Sequence, residues 1–349
     1  MSKLKYAFFG SVLGGGIYSG FTNYEKKMND NKTPKAVLIR MSGNIAGGKG
    51  SKFGGSKPLN LQNYSSSLER AFKTENAVAV ILEISSPGGS PAQSSLLHSK
   101  LLHLRKKYPS SPPVLAFCTD VCASGGYYLA SACDKILVLP STLIGSVGVV
   151  SPSLGFVDLM RKHGIEDRTM TSGKSKVGDH PLAVRNKDAV SQKRAIMDEL
   201  HKDFIGKVVK ARGSKFNHAA AASYQRSVKG ESSWNLTSYL LSLITFGVFH
   251  SEGGEEDSPL FDGSVYTGGK AVEFGLADEI YEDMEATVKE KFGSEVKVVE
   301  VKEKMSMVEM LTNDLGGGFG VGRGLGTEIA DGFFEGIKEN FEASWGNRP

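Results

Sequence analysis

The stretch "AVAVILEISSPGGSPAQSSLLHSKLLHLRKKY", Ala77 to Tyr108, limits the fold more than any other part of the chain. Its first eight residues form a nearly continuous apolar, β-branched run. A strand covered on both faces reads this way, which implies a parallel sheet with helices on either side. "SSPGGSP" then breaks the run. An amphipathic segment follows, with Arg105, Lys106 and Lys107 in its last turn, where a helix dipole favours cations. The unit recurs. "KAVLIRM" is a strand, and "LQNYSSSLERAFKT" has helical spacing at Leu61, Tyr64, Leu68 and Phe72. "PVLAFC" is a strand whose turn leads into "SGGYYLASAC", a short helix. "KILVLP" is a strand, "TLIGSVGVVSPS" is a strand with a turn inside it, and "GFVDLMRKHG" is a helix closed by glycine. "DRTM" reads as a strand, and a long helix runs from about Val184 to Lys210. This alternation predicts an α/β fold with a mostly parallel sheet and right-handed crossovers.

The ends of the chain read differently. Residues 1–30 carry two early lysines and an apolar, Gly-rich run from Tyr6 to Phe21, too short for a full span. We expect a targeting or membrane-associating segment, the alternative being an organellar presequence for a mitochondrion or plastid. Residues 35–300 are expected to form one α/β domain, with an irregular insertion at about 217–259. Residues 301–349 hold a glycine-rich joint, Gly316 to Gly326, and an apolar helical stripe at Ile329, Phe333, Ile337, Phe341 and Trp345 that needs a partner surface. The three cysteines, Cys118, Cys122 and Cys133, read as small buried hydrophobes rather than a disulfide framework. A net charge of only +4, with no basic stripe interleaved with aromatics, argues against nucleic acid. No zinc-ligand spacing, P-loop, dinucleotide fingerprint or G-x-S-x-G elbow is present, so no metal or cofactor is expected.

Ser124 stands where a buried strand gives way to a short helix, followed by Gly125 and Gly126. A helix cap is the ordinary reading of such a serine. The sharper reading is a nucleophile. Gly125 and the glycines of "SPGG", Gly88 and Gly89, would present N–H groups at adjacent strand ends, as an oxyanion hole requires. A serine hydroxyl needs a base. None of the seven histidines has a triad-like context. Lys174 and Lys176, in the small-residue loop "MTSGKSKVGDHP", are the alternative. A lysine normally titrates near ~10.4, so general-base work near neutrality needs a shift of about three units, which burial supplies. Spacing alone leaves the choice between these two lysines, and between a catalytic and a solvated one, open.

From about Ala36 to Ile280 the chain resembles the signal peptide peptidase A / SohB family, the S49 serine peptidases. The matching pieces are "ILEISSPGGSPAQSS", "ASGGYYLASACDKI", "PSTLIGSVGVVS", "TSGKSK" and "VYTGGKAVEFGLADEI". The resemblance implies a ClpP/crotonase-like α/β fold of repeated ββα units. It implies a Ser–Lys dyad of Ser124 and Lys176, with Ser146 orienting the lysine and Gly88, Gly89 and Gly125 at the oxyanion hole. It further implies endopeptidase activity on hydrophobic peptides such as signal-peptide remnants, through an acyl-enzyme, in a homo-oligomeric ring with a membrane surface as a further partner. Rival readings are an inactive membrane-associated scaffold of the same fold and a crotonase-type acyl-CoA enzyme. The insertion is longer and more apolar than the family's, and Cys122 stands where small alanines are common.

Overall fold

Strand residues alternate between two faces, and in this chain both faces are apolar, so the sheet must be buried on both sides. Val37, Ile39 and Met41 of β1 (Lys35–Ser42) lie in one core with Val80, Leu82 and Ile84 of β2 (Ala77–Ser86). Ala36 and Leu38, with Ala79 and Ile81, lie in the other. Helices α1 (Leu61–Phe72) and α2 (Pro91–Lys107) bring Leu68, Ala71, Leu97, Leu101 and Leu104 to the first core. Each of these leucines contributes about 1.5–3 kcal/mol on full burial. Both helices start on side-chain caps. Asn60 Oδ1 accepts from the Asn63 N–H at 2.9 Å, and Ser90 Oγ accepts from the Gln93 N–H at 3.4 Å.

The computed structural model describes residues 33–48, 57–173, 176–177, 179–228 and 258–301. The N-terminal segment, most of the insertion, Lys174 and the whole C-terminal joint and stripe lie outside them. β3 (Val114–Ala123) leads into α3 (Gly125–Ala130), then β4 (Lys135–Val138), β5 (Leu143–Gly145), α4 (Val157–Lys162) and α5 (Lys187–Arg212). After α6 (His218–Val228) come β6 (Val265–Thr267), α7 (Gly268–Glu273), β7 (Glu279–Ile280), α8 (Met284–Phe292) and β8 (Lys297–Glu300). The strand order is β6-β5-β3-β2-β1-β8, with β4 paired to β3 and β7. All pairings are parallel except β5 with β6. This is the mostly parallel α/β sheet expected.

Three details differ from the sequence reading. β3 does not end at Cys118. It continues through Thr119, Asp120 and Val121, and its register against β2 shifts between Ile84 and Ser86. Its first half pairs β4 and its last three residues pair β5, so β3 carries Ser124 beyond the sheet's middle. "DRTM" is not a strand, because Asp167 to Met170 are exposed and pair with no other strand. The start of the insertion is ordered as α6, closed by a 2.7 Å hydrogen bond between His218 Nδ1 and Ser258 Oγ. Among the described residues no helix is long and apolar enough to cross a membrane.

Candidate active site

The strand ends of β2, β3 and β5 converge on one cleft of about 1070 Å³, at the carboxyl edge where parallel sheets bind ligands. Ser124 lines it. Its N–H donates to Gly145 O at 2.8 Å, and its carbonyl accepts from Tyr128 N–H at 2.9 Å. Those two bonds clamp the backbone at φ 51, ψ −121, a region costly for a residue with a Cβ. The serine is the N-cap residue of α3, yet its side chain makes no capping bond. The ordinary reading of this serine as a helix cap therefore does not hold. Its hydroxyl is left for something else.

Ser146 repeats the pattern one strand over. It directly follows β5, has φ 52, donates its N–H to Ser264 O at 2.7 Å, and lines the same cleft. Ala123 pairs with Gly145, so the two strained serines stand side by side on neighbouring strand ends.

The glycines are there for close approach. A Cβ on Gly125 would stand 2.3 Å from Ser94 Oγ, and one on Gly88 would stand 2.6 Å from Gly125 N and 2.7 Å from Ser124 Cβ. Gly88 is thus pressed against the serine, and Gly89 against the backbone of Ile45. Their N–H groups are not equivalent. Gly88 N–H donates to Ser86 Oγ at 3.2 Å. The N–H groups of Gly89 and Gly125 have no acceptor among the described residues, and both glycines line the cleft. Two uncommitted donors beside a free hydroxyl are the elements of an oxyanion site.

Lys176 is not brought to this cleft. It is exposed, does not line the cavity, and its N–H donates to Gly173 O at 3.2 Å in a surface turn. Indeed, no described residue from Ser151 to Asp188 is buried. Val150, Leu154 and Met170 are 84%, 71% and 95% exposed, far more than isolated surface hydrophobics need be. The cleft's other wall is α5, whose Glu199, His201 and Asp203 the sequence reading did not select. His201 Nε2 donates to Val147 O at 3.1 Å, which fixes the ring in the cleft wall. Tyr128, one helical turn after Ser124, donates its hydroxyl to Asp203 Oδ2 at 2.7 Å. Burial first, and that carboxylate second, push the Tyr128 phenol up to about 12. The signal for these residues was helical spacing: 199 and 203 are one turn apart, on the face that also carries Ile196 and Leu200.

Comparison with known proteins matches residues 106–233 to the model of peptidase family S49, a span that holds Ser124, Ser146, the lysine loop and α5. The chain belongs to peptidase family S49. Over 241 residues, 69% of this chain, it is 32% identical to a Brucella abortus protein named Na(+)/H(+) antiporter NhaA. It spans only 27% of that relative's length. It is also 26% identical over 274 residues to an Enterococcus faecium protein named for signal peptide peptidase SppA, covering 77% of this chain and 67% of that one. Among solved structures it is similar to the 1510-N membrane-bound stomatin-specific protease, at 14% identity and a TM-score of 0.39, over 78% of this chain and 99% of that one.

Proposed function

We propose that this S49 chain is a serine endopeptidase that hydrolyses hydrophobic peptides through a Ser–Lys dyad and an acyl-enzyme. The observation that carries the reading is Ser124: a strained elbow, a hydroxyl free of capping, and two uncommitted N–H groups beside it. Ser124 Oγ attacks a peptide carbonyl as Lys176, neutral, takes its proton. The carbonyl oxygen, now an anion, is held by Gly89 and Gly125 N–H; Gly88, whose N–H is engaged, shapes the floor. Lys176 returns the proton to the leaving amine. Water, activated by the same lysine, then splits the acyl-enzyme. Ser146 holds the amine in line.

A lysine base must be neutral, and burial makes it so. In the single chain Lys176 is exposed. We therefore place completion of the dyad in the homo-oligomeric ring, where a second copy covers the apolar surface of residues 150–184. The antiporter-named and signal-peptide-peptidase-named relatives favour a membrane surface as the setting, reached through residues 1–30, with 301–349 as an assembly segment. A second reading has His201 as the base, favoured by its place in the Ser124 cleft.

The test is hydrolysis of fluorogenic apolar peptides by the assembled full chain. Ser124→Ala and Lys176→Ala should both abolish turnover with assembly unchanged. Full activity in Lys176→Ala and none in His201→Ala would hand the base to histidine. A folded, assembled but inert wild type would favour the scaffold reading.

A further inference from the structure

The peptidase reading leaves open which substrate side chain the cleft prefers, and the cleft wall carries an answer. Tyr128 is 5% exposed, with its ring edge-on to His98 at 5.1 Å and tilted on Phe204 at 5.1 Å. Packed this firmly, its hydroxyl fixes one oxygen of Asp203 at 2.7 Å. Glu199 lies one turn earlier on α5 and lines the same cleft, as does Asp262 from the loop before β6. The described lining residues include these three carboxylates and neither lysine nor arginine, in a chain whose net charge is +4. The same cleft also presents apolar side chains, Ala92, Leu200 and Phe204. A cleft with both fits a lysine or arginine side chain, whose methylenes pack while the head is paired.

We infer, resting on the peptidase reading, that Asp203 with Glu199 makes this cleft select a cationic side chain of the substrate. The neighbouring charges agree. Lys207 is 3.4 Å from the other Asp203 oxygen, but an exposed i,i+4 pair of this kind is weakly held and yields to a better-placed cation. Asp262 already accepts from Gln225 Nε2 and Ser264 N–H, both at 2.9 Å, so it adds charge rather than a free acceptor. Behind Tyr128, burial keeps His98 uncharged at neutral pH. A second cavity of about 430 Å³, which shares His201, has a mixed wall of Arg185, Lys193 and Arg194 with Asp179 and Asp198. Lys193 is bonded there to Asp179 at 2.5 Å. Of the two cavities, the one whose described lining holds carboxylates and neither lysine nor arginine is therefore the Ser124 cleft.

The experiment compares matched fluorogenic peptides in which lysine replaces norleucine, one position at a time across the scissile bond. The pair has nearly the same stem and differs in charge. Wild type should prefer lysine at one position by about tenfold in kcat/KM, a preference that shrinks with added salt. Asp203→Asn and Glu199→Gln should each lower the lysine-to-norleucine ratio, and the double variant should bring it to about one. Equal or better cleavage of norleucine at every position would overturn the inference while the peptidase reading stood. If no peptide is turned over, the peptidase reading fails by itself. The same peptide pairs, bound to the Ser124→Ala variant and read by fluorescence anisotropy, then decide the inference: tighter lysine binding supports it, and no difference rejects it.

Discussion

Replacing Gly88 with alanine should damage the site through its backbone alone. The new methyl would lie 2.6 Å from Gly125 N and 2.7 Å from Ser124 Cβ, and 3.0 Å from Ala123 O. These are backbone atoms and a clamped Cβ, not the ends of flexible side chains. To regain contact near 3.4 Å, the Ser124–Gly125 peptide must move by about 0.8 Å. Gly88 also has φ +98, a conformation that costs an alanine about 1–2 kcal/mol. Overpacking adds about 1–3 kcal/mol, so the variant should lose roughly 2–5 kcal/mol of stability. The same shift carries the Gly125 N–H and the serine hydroxyl out of line, and a displacement approaching 1 Å costs about 10²-fold in rate. Gly269→Ala is the control. It lies exposed in α7 with nothing within 4 Å of its added methyl, and it should be neutral or slightly stabilising. Urea unfolding gives the first number, and kcat/KM of the folded variant on an apolar peptide gives the second. Gly88→Ala that unfolds within about 0.5 kcal/mol of wild type and keeps its rate would refute the reasoning.

Two pH effects follow from buried groups away from the serine. Burial, and then the nearby charge of Lys207, lowers His98 to about 4, so the unfolded chain binds the extra proton between about pH 6.5 and 4. Stability should therefore fall as pH drops through that window, by about 2 kcal/mol at pH 5, and His98→Phe should flatten the slope measured by urea unfolding. Asp278 acts in the same direction, at lower pH. Burial raises its carboxyl, but hydrogen bonds from Arg212 at 2.9 Å, Lys215 at 2.6 Å and Ile136 N–H at 2.8 Å outweigh it and hold it at about 2. Its contribution, about 2 kcal/mol, is complete above pH ~4 and lost as pH falls through about 2. Asp278→Asn should be less stable than wild type at pH 7 and converge with it near that lower limit, by acid titration of the unfolding midpoint.

The parts of the fold that could be read early are those where local and global preferences coincide. Ala77 to Ser86 is apolar on both faces because two separate cores take alternate residues, and Pro91 to Lys107 carries its own cap and cationic end. β3 was read short because Thr119 and Asp120 interrupt its apolar run. The bulge there, opposite Ile84 to Ser86, is a tertiary feature that no periodicity reports. Ser124, Ser146 and the three glycines were legible as a group since each sits at a strand end, and strand ends of one sheet edge meet. The elbow strain at Ser124 was not, as it depends on Gly145 of another strand. Asp203 was missed for the same reason: it meets Tyr128 across a separation of 75 residues. Lys176 shows the reverse. Its motif is strong, but a surface turn on one chain cannot report the burial its proposed role requires.

The most direct measurement is intact mass of the assembled full chain after treatment with a fluorophosphonate, which phosphonylates an activated serine with loss of fluoride. The account predicts one adduct per chain, mapped by peptide digestion to Ser124, absent in Ser124→Ala and strongly slowed in Lys176→Ala. An adduct that persists in Ser124→Ala, or a wild type that forms none while it cleaves peptides, would contradict it.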